Sequence, residues 1–321
     1  MTCPVHPVGN ARTPTVARSA ANTVTDGVVQ RFEEVAGSVF VGLFAAALFD
    51  QTMLPEVSAA LVGTGRIRYA PWGRALRTAA SDQIVFHGDE ADRRAEMARL
   101  KLLHRDVKGV GADGVRYSAL HPESWNWILI STFFMYRGAF VAIGGGKLSA
   151  TDNQALWEHF RTRLDDLQLP GRSRLVEEYA ELCGYYDRVV AQKLQPTATL
   201  ADACRTVRRA PRPPFLPGVT DPLWRLARPV AGHVAEILGY GIMRPGVRAV
   251  LPMRWTRRHD LEFALLTTLI RLAYRYLPTW ATDTPLVRNR RRYRQLMASY
   301  QGIGLISFVP DADVPSTETA V

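Results

Sequence analysis

One segment, residues 124–140, limits what this chain can fold into more than any other. Read as a helix, it has apolar side chains on every face: Trp125, Trp127, Ile128, Leu129, Ile130, Phe133, Phe134, Met135 and Tyr136. A helix that is apolar all round has to be buried. The remaining segments must therefore cover it, and each of them needs an apolar face of its own to do so.

The segments around this helix repeat their apolar residues at helical spacing. Residues 27–49 begin polar and become nearly all apolar. Three further stripes are predicted to face the core: Leu156, Phe160, Leu164 and Leu167; Leu175, Tyr179, Leu182, Tyr186 and Val189; and Leu261, Leu265, Leu269, Leu272 and Tyr276. No stretch alternates apolar and polar residues over the length of a convincing strand. The sequence therefore predicts an all-α fold, built as one domain over residues 27–308.

The two ends of the chain, residues 1–26 and 309–321, are predicted to be disordered. The first has no apolar stretch of the kind that a secretory signal needs. The most apolar run that we find, residues 35–49, is shorter than a membrane-spanning helix and is interrupted by two glycines. Three cysteines lack the spacing of a disulfide framework or a zinc site. We therefore expect a cytoplasmic protein with no span across a membrane.

The charge of the chain raises the question of an anionic partner. Forty lysines and arginines against 30 acidic residues give a formal net charge of +10. The arginines are dispersed, however, and the one dense run, residues 288–294, is not part of a recognisable nucleic-acid module. We therefore expect no nucleic-acid partner, and leave contact with a membrane surface open.

Residues 72–109 concentrate polar chemistry in what the pattern predicts to be two helices. Arg74 and Thr78 are one helical turn apart and share a face of the first helix. Asp89 can cap the second helix, which Gly109 can close. On that second helix the spacing of one stripe predicts an inward face that includes a histidine: Leu100, Leu103, His104 and Val107.

The residues alone leave two roles open for these side chains. A histidine on an apolar face is usually a core residue with a hydrogen-bonded ring. It can also be the single axial ligand of a haem, because that role needs one ring nitrogen and an apolar wall and has no spacing signature. Arg74 can be a solvated arginine, and Thr78 can bond to a carbonyl of its own helix.

An ordered series of short motifs bears on this choice. It comprises R-x-x-x-T at Arg74 and Thr78, then Phe86, Gly88 and Ala91, then H-x-x-V-K-G beginning at His104, then Gly114, Tyr117, Ala119, Pro122 and Glu123, and finally Trp127. The series resembles the catalytic domain shared by MpaB-type oxygenases and the latex-clearing rubber oxygenases. The resemblance implies that His104 is the axial ligand of a haem b. It also implies that Arg74 and Thr78 act beside the haem, with Arg77 next to them.

At three positions this chain departs from the family pattern. Arg77 stands where the rubber oxygenases carry a lysine, and a guanidinium that is always protonated cannot coordinate iron as a neutral amine can. Leu129 stands where many relatives carry a histidine, which suggests a more apolar pocket. The acidic base of the rubber enzymes has no secure counterpart, since Glu56 is merely the nearest upstream carboxylate.

The resemblance implies a function as well as a fold. We expect a helical bundle that encloses a haem between buried helices, and an oxygenase that uses O2 on a small apolar substrate. Oxidative cleavage of a C=C bond in an isoprenoid-like or other secondary-metabolite substrate is the expected reaction, with an electron donor as an optional partner. A haem-dependent dehydrogenase or peroxidase-type enzyme is one alternative. A non-catalytic helical protein that binds haem or another ligand is a second.

Overall fold

The computed structural model describes residues 27–64 and 71–302. These are almost entirely helical, so the all-α prediction is confirmed. The segments predicted to be disordered, residues 1–26 and 309–321, lie outside the described residues.

The elements follow one another with short connections. The chain forms α1 (27–36), a 3₁₀ helix (Val39–Met53), α2 (Pro55–Thr64), α3 (Pro71–His87), α4 (Glu90–Arg105), β1 (Lys108–Val110), β2 (Arg116–Ser118), α5 (Pro122–Gly144), α6 (Ala150–Arg163), α7 (Tyr179–Gln192), α8 (Ala198–Arg208), α9 (Asp221–Gly241), α10 (Pro245–Arg248), α11 (Arg257–Tyr276), α12 (Thr279–Thr282) and α13 (Pro285–Gly302). Single 3₁₀ turns lie at Asp165–Leu167, Gly171–Ser173 and Gly218–Thr220. Strands β1 and β2 form one antiparallel pair, with Lys108 opposite Ser118.

Helix α5 is the centre of the core, as its composition predicts. Trp127 and Phe133 are fully buried on it. The ring of Phe133 lies 4.8 Å from that of Trp157 on α6, and Tyr136 lies 4.6 Å from Phe86 on α3. Aromatic pairs at such distances add to the stabilisation from area burial. Helix α5 therefore joins the α3 and α6 sides of the fold into one core.

By length and composition alone, α5 could cross a membrane. It is longer than the apolar run at residues 35–49. The 3₁₀ helix and α2 together would also pass the same test if their 105° bend were ignored. Most of α5 is covered by neighbouring helices, and the core helix of a soluble domain satisfies the same criteria.

Two of the three predicted inward stripes lie in the core. On α6 and the turn after it, Leu156, Phe160, Leu164 and Leu167 are all buried. On α7 and the segment before it, Leu175, Leu182, Tyr186 and Val189 are buried and Tyr179 is partly buried. A capping box between Ser149 and Asp152 begins α6.

The third predicted stripe was wrong. On α11, Leu261, Leu265, Leu269, Leu272 and Tyr276 are all exposed, and Leu261 retains 73% of its accessible surface. The helix packs instead through the face that contains Thr267 and Ile270. Both faces of α11 carry apolar residues at helical spacing, so periodicity identified a stripe without showing which one meets the core.

Small residues allow the 3₁₀ helix and α9 to approach each other closely. A Cβ atom added at Gly239 would lie 2.6 Å from the Cβ of Ala46 and 2.7 Å from the backbone nitrogen of Ala47. Only a glycine at this position of α9 therefore fits against the 3₁₀ helix.

Candidate functional site

Helices α3 and α4 form a hairpin that carries every site residue predicted from the sequence. The turn between them needs Gly88, because a Cβ there would collide with the carbonyl oxygen of Ile84. Asp89 caps α4 by accepting a hydrogen bond of 2.8 Å from the backbone N–H of Asp92. The two arms are joined where the Ser81 hydroxyl donates to Glu96 at 2.6 Å.

This cross-link fixes the register of the two arms. Arg74 lies seven residues before Ser81 on α3, and His104 lies eight residues after Glu96 on α4. At the rise of an α-helix, these separations are about 10 Å and about 12 Å along the respective axes. Arg74 and His104 are therefore each about two helical turns from the cross-link, on the side away from the turn of the hairpin.

The ring of His104 is held in one orientation. Its Nδ1 lies 2.7 Å from the carbonyl oxygen of Leu100, one turn earlier on α4. A carbonyl oxygen can only accept a hydrogen bond, so Nδ1 is the nitrogen that carries the proton. The ring also packs edge-on against Trp125, with 5.4 Å between centroids. Because Nδ1 is engaged, the neutral ring directs the lone pair of Nε2 away from its own helix.

The predicted surroundings of His104 were correct only in part. His104 is half-buried, whereas Leu103 beside it is 54% exposed. The fully buried residues of α4 are Glu96 and Met97. The prediction was wrong for Leu103, and Val107 lies beyond the end of α4, whereas Leu100 packs partly buried against the core.

On the other arm, the predicted residues lie at the surface of α3. Arg74 is partly buried, and Arg77 and Thr78 are exposed. Apolar side chains remain exposed on both arms at this end of the hairpin: Leu76 on α3, and Leu102 and Leu103 on α4. Of the three, Leu103 is adjacent to His104, whereas Leu102 lies about 160° around α4 from His104 and Leu76 lies equally far around α3 from Arg74 and Thr78.

Asp82, which follows Thr78 by one turn of α3, was not predicted from the sequence. Its Oδ2 accepts a 3.0 Å hydrogen bond from the hydroxyl of Tyr136 on α5. Burial of the carboxylate, only partly offset by this bond, raises the pKa of Asp82 to about 7. The spacing could have indicated it, because Arg74, Thr78 and Asp82 are four residues apart and so share one helix face.

Asp50, a buried acid, was not predicted either. It accepts a 2.5 Å hydrogen bond from Ser131 and borders a cavity of about 50 Å³ that Tyr186 and Arg244 also line. Burial raises the pKa of Asp50 to about 7. No sequence pattern marks it, because its partners are far away along the chain.

Glu56 remains without an assigned role. It is partly buried, and its Oε2 atom is buried without a hydrogen-bond partner among the described residues. Within the same residues, no group of three or more His, Cys, Asp or Glu side chains could hold a metal ion.

Comparison with known proteins decides the family. The family described as "ER-bound oxygenase mpaB/B'/Rubber oxygenase, catalytic domain" matches residues 32–272. The chain belongs to this family. The match includes both arms of the hairpin and ends before α13. The resemblance inferred from the short motifs is thereby confirmed, and the chain carries the catalytic domain of an oxygenase family.

Two curated relatives are similar to this oxygenase-family domain. They are the uncharacterized protein Mb2261 of Mycobacterium bovis and the uncharacterized protein Rv2237 of Mycobacterium tuberculosis. Each is 25% identical over 240 residues, which cover 73% of this chain and 88% of the relative. No solved structure matches the chain.

Proposed function

We propose that this chain is a haem b-dependent oxygenase that acts with O2 on an apolar substrate at the open end of the α3–α4 hairpin. The observation that carries the proposal is the geometry of His104. Its Nδ1–H is bonded to the Leu100 carbonyl, which leaves Nε2 to bind a metal. This arrangement suits an axial haem histidine, because the second bond fixes the ring and makes the ligating nitrogen more basic.

The residues on the hairpin fit a haem. His104 would be the axial ligand, with Trp125 fixing its ring from the side. Leu103, next to His104 on α4, offers part of the apolar surface that the flat macrocycle needs. Arg74 and Arg77 are suited to the two propionates, since a guanidinium binds a carboxylate through paired hydrogen bonds. When bound, the haem would supply the iron that binds and activates O2.

Thr78, Arg74 and Asp82 supply the polar chemistry on the α3 side. The Thr78 hydroxyl can donate a hydrogen bond where negative charge develops on oxygen, and Arg74 can add a fixed positive charge. Arg77 cannot serve as a neutral amine ligand, because it stays protonated. Asp82 is one turn from Thr78, and a pKa of about 7 lets its carboxyl hold or release a proton near neutral pH.

The substrate that we infer is isoprenoid-like or another apolar secondary metabolite, cleaved at a C=C bond. Leu103, exposed beside His104 on α4, supports an apolar substrate. Leu129 supports it as well, because it is buried on α5 where many relatives have a histidine. A cytoplasmic location remains a prediction from the sequence.

The absorption spectrum tests the haem directly. We expect the purified chain, supplied with haem, to show a Soret band that His104→Ala loses or shifts. The matched control is His121→Ala, which removes an exposed histidine at the start of α5. A parent protein that stays colourless after haem is added, or a spectrum that both variants leave unchanged, would contradict the proposal.

Labelled oxygen separates the oxygenase from the two alternatives. An oxygenase incorporates atoms of ¹⁸O2 into its product, whereas a dehydrogenase or a peroxidase-type enzyme gives product without that label. A non-catalytic haem protein gives no product at all. The proposal therefore expects product heavier by the mass of the incorporated label.

A further inference from the structure

Helix α13 lies outside the region that matches the oxygenase family, and half of it projects from the body of the protein. Its first turns are attached: Arg291 forms an ion pair of 2.9 Å with Asp283, and Arg288 donates to the carbonyl oxygen of Trp280 at 3.0 Å. From residue 291 to residue 300, however, every residue is exposed. Within the described part of the chain, every residue of this half therefore remains accessible to solvent, although Arg291 is also paired with Asp283.

One face of the projecting half is apolar. Tyr293, Leu296, Met297 and Tyr300 follow the spacing i, i+3, i+4 and i+7, and each keeps between 38% and 63% of its accessible surface. This spacing places the four side chains on a single stripe. A stripe of two tyrosines, a leucine and a methionine in water is costly unless something covers it.

Arginines flank the stripe on both sides. At about 100° per residue, Arg292 lies about 90° to one side of the centre of the stripe, and Arg294 lies about 110° to the other. Both are exposed, and α13 contains no aspartate or glutamate. The helix therefore presents an apolar centre between two cationic edges.

We propose that residues 291–300 of α13 dock on the surface of an anionic phospholipid bilayer. An apolar arc bounded on each side by arginine fits a helix that lies in the plane of the headgroups. Leu296 and Met297 enter the edge of the acyl region, and the tyrosine hydroxyls stay at headgroup level. Arg292 and Arg294 bind lipid phosphates. A nucleic acid would use the arginines but not the apolar stripe between them.

Such docking holds the catalytic domain at the bilayer surface, because apolar molecules accumulate in the bilayer. The Val287 side chain of α13 lies beside Gly37, as does the ring of His87 at the end of α3. Arg290 lies 3.8 Å from Asp89, the cap of α4. The docking helix is thus attached at the turn of the hairpin, opposite the open end where we propose the haem. Docking itself does not depend on haem, so it is tested separately.

Vesicle co-sedimentation of the full-length chain tests the proposal. We expect binding to vesicles of equimolar phosphatidylcholine and phosphatidylglycerol, weak binding to phosphatidylcholine alone, and a decline with added salt. Leu296→Glu/Met297→Glu should abolish binding. Arg292→Gln/Arg294→Gln should weaken it about 25-fold, which is about fivefold for each arginine near an anionic surface.

Matched variants and circular dichroism distinguish docking by α13 from a general effect of net charge or of unfolding. Arg254→Gln/Arg257→Gln changes the net charge equally at exposed arginines outside α13, and should leave most of the binding intact. Far-UV circular dichroism should show that every variant is folded. Absence of binding to the mixed vesicles, or an equal loss in both arginine pairs, would overturn the proposal. The proposal would also be overturned if Leu296→Glu/Met297→Glu still bound vesicles but lost self-association or duplex DNA binding that the parent shows.

Discussion

Replacing Asp50 by asparagine should make the protein more stable, and increasingly so as the pH rises. Asp50 keeps only 3% of its accessible surface, and it accepts a hydrogen bond from Ser131. Its pKa rises from 3.8 in the unfolded chain to about 7 in the folded one, because burial penalises the charged form. The folded state therefore favours the protonated acid. The stability that this group contributes is complete below pH 3.8 and is lost as the pH rises through 7.

The size of the effect follows from the two pKa values. Relative to a group that stays neutral in both states, Asp50 lowers the free energy of unfolding by about 2 kcal/mol at pH 5 and by about 4 kcal/mol at pH 8. Asparagine has nearly the same shape and can still accept the Ser131 hydrogen bond, but it does not ionise. The stability of Asp50→Asn relative to the parent should therefore increase by about 2–3 kcal/mol between these two pH values.

Urea unfolding followed by far-UV circular dichroism at pH 5 and pH 8 measures this difference. Asp82, whose pKa also rises to about 7, titrates in both proteins and cancels in the comparison. Asp106→Asn, at an exposed position after α4, should show no comparable change with pH. If the advantage of Asp50→Asn is the same at both pH values, the reasoning about this buried acid is wrong.

Three further perturbations have outcomes that the structure determines. Gly239→Ala should destabilise the fold by about 1–3 kcal/mol in urea unfolding, because its Cβ would overlap Ala47, whereas Gly27→Ala has open space and serves as the control. Glu33→Gln should cost about 1–2 kcal/mol at pH 7, because Glu33 pairs with Arg163. Since the pKa of Glu33 falls from 4.5 to about 2, this cost should vanish as the pH is lowered from 4.5 to 2. Asp82→Asn should remove an inflection near pH 7 from the rate of substrate oxidation without changing the haem spectrum, and an unaltered pH profile would exclude Asp82 as a proton carrier.

Features that depend on local sequence were predicted well. Helix α5 had to be buried because no face of it is polar, and it is the centre of the core. The stripe from Leu156 to Leu167 is buried, as predicted, because its residues repeat at helical spacing and so form one apolar face. The position of Asp89 as a helix cap followed in the same way from its place before an acidic first turn.

Features that depend on long-range contacts could not be predicted. Helix α11 has two apolar faces, and only the arrangement of its neighbours decides that Ile270 rather than Leu265 is buried. Asp82 meets Tyr136 across 54 residues of chain, and Asp50 meets Ser131 across 81. No short-range pattern specifies such pairs. The hydrogen bond of His104 is local, but the position of the histidine in the sequence does not show which ring nitrogen bonds to the backbone.

Ligation of haem iron by His104 is the central claim, and chemical rescue tests it most directly. His104→Gly removes the ring and leaves space that free imidazole can enter. We predict that the variant loses the Soret band of the parent and regains it on titration with imidazole, while His121→Gly keeps the parent spectrum throughout. A His104→Gly protein whose spectrum equals that of the parent before imidazole is added would contradict the claim.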